Sequence, residues 1–177
     1  CFTSPSREAS CNYGIGKDGK IALCVEEKNR SWCSSSSAND QRAVTIECAS
    51  DLNHPYAMTT AVYNSLVKLC TDICKRNGKK KLLWLGDKNK TLNYSPKSDE
   101  MVLTVHRWFT NKSCPGDWLY SRLGDLASKV TAKLSGNTSA NTGTLYRVQT
   151  GAFSKKANAD AMEKKLKAKG FDTYMVQ

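Results

Sequence analysis

The stretch Ala43-Val44-Thr45-Ile46-Glu47-Cys48 alternates strictly, with Val44, Ile46 and Cys48 on one face and Thr45 and Glu47 on the other. That is the period of a half-buried strand, and it turns Glu47 away from the apolar side. Ahead of it, Asn12 to Gly16 and Ile21 to Val25 flank Lys17-Asp18-Gly19-Lys20. Asp-Gly between apolar runs is a strong hairpin signal and predicts an antiparallel pair. Met58, Val62, Leu66, Leu69 and Ile73 recur at helical spacing, predicting an amphipathic helix from about Pro55 to Arg76 with Gly78 as its stop. Leu82 to Leu85 and Met101 to Val105 are predicted strands, and Leu119, Leu123, Leu126, Val130 and Leu134 predict a closing helix. Strands interspersed with two long helices give the fold class: α/β, a mixed β-sheet covered by helices.

The pattern changes after Leu134. Residues 135–143 are all small or polar and cannot bury enough apolar area to offset the ordering of their backbone, so they form a linker. Residues 1–134 are then one domain. Residues 144–177 read as a short strand-helix-strand piece: Leu145 to Gln149, a helix carrying Ala157, Ala161, Met162 and Leu166 to Gly170, and a strand from Phe171. The chain opens without methionine and stops inside an apolar strand pattern, so both natural termini are expected to lie outside it.

Composition bounds the partners. Of 177 residues, 40% are hydrophobic and 24% charged, which excludes a disordered or fibrous chain. No run approaches the roughly 18 apolar residues that a membrane-spanning helix needs, so membrane insertion is not expected. Lys plus Arg exceed Asp plus Glu by 27 to 16, a net +11 that favours polyanions. The surplus is diffuse and has no aromatic-basic motif beside it, so nucleic acid is not the expected partner. The eight cysteines contain no Cys-x-x-Cys pair, and most are expected to be buried free thiols.

The stretch richest in chemistry is Val105-His106-Arg107-Trp108-Phe109-Thr110-Asn111-Lys112-Ser113-Cys114-Pro115-Gly116. A predicted strand ends in His106, and Cys114 follows eight residues later. Imidazole and thiolate are both good zinc ligands, and a loop between them lets the two converge. Lys112 adds a cation beside them.

His106, Lys112 and Cys114-Pro115-Gly116 resemble the C-terminal half of the zinc site in N-acetylmuramoyl-L-alanine amidases of the phage-lysozyme and peptidoglycan-recognition-protein type, particularly clostridial prophage endolysins. Ser10 to Gly19 resembles the family's early strand and hairpin, Trp32 with Asn39-Asp40 its cleft loop, and Val44 to Glu47 its central strand with an inward acid. The resemblance spans nearly all of residues 1–134. It implies hydrolysis of the amide between the lactyl group of N-acetylmuramic acid and L-alanine. His106 and Cys114 would ligate Zn2+, Glu47 would be general base, Lys112 would stabilise the oxyanion, and Asn12 and Trp32 would contact substrate. The family's first ligand is a histidine on a strand earlier than this chain reaches. His54, just ahead of the long helix, is not read as its substitute, and Cys11 stands where some relatives carry a catalytic tyrosine.

The C-terminal piece resembles the first half of a SPOR domain, a family that binds peptidoglycan. Together these imply a monomeric, zinc-dependent hydrolase acting at the bacterial cell wall, outside the cell or after release by lysis. The alternative is a peptidoglycan-recognition module without turnover.

Overall fold

The computed structural model describes residues 6, 8–136, 153–169 and 173. The chain divides into two compact units, Cys1–Thr138 and Ser139–Gln177.

In the first unit, β1 (Tyr13–Ile15) and β2 (Ile21–Leu23) pair antiparallel, with Tyr13 opposite Leu23 and Ile15 opposite Ile21. Asp18 Oδ1 accepts from Lys20 N at 3.1 Å inside the turn, and Gly19 takes φ +80°. A Cβ at Gly19 would stand 2.9 Å from the carbonyl oxygen of Ala61, so only glycine lets the turn press against the long helix. Beyond β2, the amides of Cys24 and Val25 both donate to Asn12 O, at 2.8 and 3.3 Å, two residues facing one as in a bulge. That bulge leaves Cys24 exposed, contrary to the buried thiol expected there.

A one-turn helix, α1 (Ser37–Asp40), leads to β3 (Ile46–Cys48), which lies parallel to β1 and completes a sheet of order β2-β1-β3. The long helix α2 spans Thr60–Arg76. It starts five residues later than its apolar spacing predicts. Thr59 holds an extended backbone and its hydroxyl accepts from Val62 N, so the helix begins at this cap while Met58 is buried ahead of it. Next come β4 (Lys81–Leu83), a short α3 (Lys88–Leu92) capped by Asp87, and β5 (Glu100–Val102), which pairs with β4 in parallel.

The expected closing helix is two helices, α4 (Asp117–Tyr120) and α5 (Leu123–Leu134). The break falls at Arg122, whose guanidinium lies 4.2 Å above the Trp118 ring and donates to Trp118 O at 2.9 Å, taking a carbonyl that a continuous helix would have used. The mixed α/β architecture is therefore present, with its strands in two small sheets. The core lies where α2 meets α5 and α5 meets β4. Val62, Leu126 and Val130 are fully buried there, each contributing roughly 1.5–3 kcal/mol. Trp84 and Trp108 stack at 5.0 Å, partly buried and buried respectively.

In the second unit α6 runs Lys156–Ala168, supported by Lys156–Asp160 and Lys167–Glu163 pairs at i,i+4 spacing. The expected strands at 145–149 and 171–177, Thr173 apart, lie outside the described residues, as does the expected linker beyond Gly136.

Candidate active site

Backbone bonds from Tyr13 N to Thr45 O and from Ala49 N to Ile15 O turn the peptide groups of Thr45, Glu47 and Ala49 towards β1. Those of Ile46 and Cys48 therefore point to the opposite side, the open edge of β3. A cleft of about 280 Å³ runs along that edge. All three residues of β3 line it, which a cleft over one face of the strand would not allow. Ser113, Cys114, Pro115 and Gly116 also line it, with Tyr56, Met58 and Leu119.

Glu47 and Cys114 thus share one cleft. Burial pushes the Cys114 thiol up to about 11; the Glu47 carboxylate adds to the shift and the Arg107 cation opposes it. On its other side Glu47 Oε1 accepts from Cys33 Sγ at 3.6 Å. Burial and then Glu47 push the Cys33 thiol up to about 12. Two thiols on different loops therefore feel the same carboxylate.

His106 does not end a strand; it opens a single 3-10 turn, His106–Trp108, after the extended residue Val105. Its Nε2 lies 3.0 Å from Ser35 Oγ, and Ser35 takes φ +61°, a backbone state uncommon for serine. The Arg107 amide donates to Cys114 O at 3.0 Å, so the loop bearing both predicted ligands is closed at its neck. Gly116 takes φ +82°, and a Cβ there would stand 2.7 Å from Tyr56 Cβ, which presses the Cys114 loop onto the Tyr56 loop. Lys112 lies exposed near the loop tip and makes no ion pair among the described residues. His54 is exposed and points elsewhere, its Nε2 2.9 Å from Asp117 Oδ2.

Asn12 departs from its expected role at the substrate. It is 1% exposed, its Oδ1 accepts from Thr45 N and Oγ1, and its Nδ2 donates to the carbonyls of Val25, Glu26 and Asn29. Every polar atom of the side chain is used in tying β1 to β3 and to the loop after β2, which leaves none for a ligand. Trp32 is 56% exposed with the Arg30 guanidinium 5.5 Å from its ring, open to stacking.

The sequence reading passed over Cys33, Ser35 and Tyr56. Cys33 is held by the buried Asp40, whose carboxylate accepts from the amides of Cys33 and Ser34 and from Ser34 Oγ, next in the chain to Ser35. A buried carboxylate with three local donors fixes a serine-rich loop that carries no periodicity of its own.

Imidazole and thiol are donors zinc favours, and His106 and Cys114 bring one of each. Among the described residues no three His, Cys, Asp or Glu side chains converge closely enough to hold a metal ion. The set matches zinc in kind and falls short in number.

Residues 1–117 match the model of the N-acetylmuramoyl-L-alanine amidase family. The chain belongs to that amidase family. Residues 142–177 match the SPOR domain. No match was found among curated proteins or among solved structures. The amidase family supports action on the peptidoglycan amide and the SPOR domain supports cell-wall binding. No described helix of this amidase is long and apolar enough to cross a membrane.

Proposed function

We propose that the cleft along β3 hydrolyses the amide between the lactyl group of N-acetylmuramic acid and L-alanine, with the SPOR domain holding the enzyme on the wall as a monomer. The observation that carries the reading is that Glu47 and Cys114 share one cleft, beside a loop whose backbone joins Arg107, next to His106, to Cys114. Glu47 accepts the proton of the attacking water and returns it to the leaving amine, work that requires a carboxylate within hydrogen-bond reach, directly or through one water. Zinc, with His106 and Cys114 among its ligands, would supply a water of lowered pKa and a polarised carbonyl. Trp32 offers a face on which a sugar stacks.

Lys112 stabilises the oxyanion. On a soluble muropeptide, Lys112→Ala is expected to lower kcat by roughly a hundredfold with KM near its starting value. A change reproduced by added salt and confined to binding of whole walls would return Lys112 to the basic surface.

The rival reading is a recognition module without turnover, favoured by the lack, among the described residues, of three His, Cys, Asp or Glu side chains that converge to hold a metal ion. Purified cell walls separate the two. Falling turbidity with new amino termini supports the amidase; retention on the walls with turbidity unchanged supports the module.

A further inference from the structure

Arg107 reaches the segment that carries Cys114 through both its backbone and its side chain. Its amide donates to Cys114 O at 3.0 Å, and its Nη2 donates to Ser113 O. Nη1 and Nη2 both donate to Asp117 Oδ1 at 2.9 Å, and the guanidinium lies 4.7 Å from the centre of the Tyr120 ring. Asp117 opens α4 and is held from its other side by His54 Nε2 at 2.9 Å. The Arg107 side chain is 24% exposed, and its Nε is buried with no hydrogen-bond partner among the described residues.

The geometry points to Arg107 as a positioning residue of the amidase site, one that sets the place of Cys114 relative to His106 by clamping Ser113, Cys114 and Asp117 at once. The inference rests on the amidase reading for its consequence in catalysis, but its geometric half stands apart. Asp117 is 58% exposed, and an ion pair to so open a carboxylate adds little to stability. A small displacement of a group at a reacting centre, by contrast, costs on the order of a hundredfold in rate. The clamp therefore matters more to geometry than to folding. Lysine cannot replace it, because a single ammonium has neither the planar fork nor the face that lies on Tyr120.

The test compares the full chain with Arg107→Ala and Arg107→Lys, each with and without millimolar guanidinium or methylammonium. Alkylation of Cys114 by iodoacetamide is followed by mass spectrometry, with buried Cys70 on α2 as the control for loosening of the fold. In Arg107→Ala, Cys114 is expected to react about tenfold faster with Cys70 unchanged, the freed loop outweighing the higher thiol pKa that loss of the Arg107 cation brings, and kcat on a soluble muropeptide to fall about tenfold or more at constant KM. Guanidinium should restore both and methylammonium neither, and Arg107→Lys should behave as the alanine variant does. Parallel acceleration at Cys114 and Cys70, no change at Cys114, or equal rescue by the two cations would overturn the proposal. If the unmodified chain does not hydrolyse the muropeptide, the amidase reading falls, and the alkylation arm still decides whether Arg107 positions Cys114.

Discussion

Glu47→Gln is expected to remove most hydrolysis, roughly a hundred- to ten-thousandfold, while the fold is retained. Glutamine has the same size and keeps an oxygen to accept from Cys33 Sγ, so the half-buried position loses its charge and proton affinity with little change in packing. The same substitution carries a second readout that does not depend on turnover. The Glu47 charge is the second cause, after burial, holding the Cys33 thiol up to about 12. A negative neighbour disfavours thiolate, so its removal lowers the Cys33 pKa and raises the thiolate fraction at any given pH below it. Alkylation of Cys33 should therefore quicken in Glu47→Gln. Faster labelling with undiminished hydrolysis would leave Glu47 in the cleft and strip it of the general-base role.

Asn12→Ala is expected to have the largest effect on stability and little on binding. The side chain is enclosed: its oxygen accepts two hydrogen bonds, and its two amide N–H groups are shared among three carbonyls. Alanine would strand the buried Thr45 amide and take the donor from three part-buried carbonyls, and each buried group so orphaned costs about 1–3 kcal/mol. A loss of about 3 kcal/mol or more follows, corresponding to a Tm lower by roughly 6 °C or more for a domain of this size. KM for a soluble muropeptide should stay where it was. A raised KM with an unchanged melt would restore Asn12 to the substrate.

The hairpin was legible because Asp18-Gly19 encodes its turn chemistry locally, and the apolar stripes of α2 and α5 were legible because burial against one core imposes the helical period. Their ends were not. The start of α2 is decided by the Thr59 hydroxyl and the break after α4 by the Arg122 guanidinium, polar competitors for backbone groups that a hydrophobic pattern does not register. At the site, alternation put Glu47 on the polar face of its strand and the family resemblance alone gave it a role, while His106 and Cys114 stood out through their spacing and the resemblance. Cys33, Ser35 and Tyr56 come from loops without a period. The bonds that place them, such as Ser35 to His106 across 71 positions, exist only once the chain has folded. Asn12 was expected at the substrate from the resemblance alone, and a resemblance does not say whether the side chain is taken up by a neighbouring loop, here by the carbonyls of Val25, Glu26 and Asn29.

The central claim is the identity of the bond that is cut, and the most direct measurement is the mass of the products formed from a soluble N-acetylmuramoyl peptide in water enriched in oxygen-18. One intact peptide with a free L-alanine amino terminus and one muramic acid whose lactyl carboxylate carries the heavy oxygen are expected. A muramoyl-alanine fragment, a new reducing sugar end, or substrate recovered whole after binding would contradict the claim.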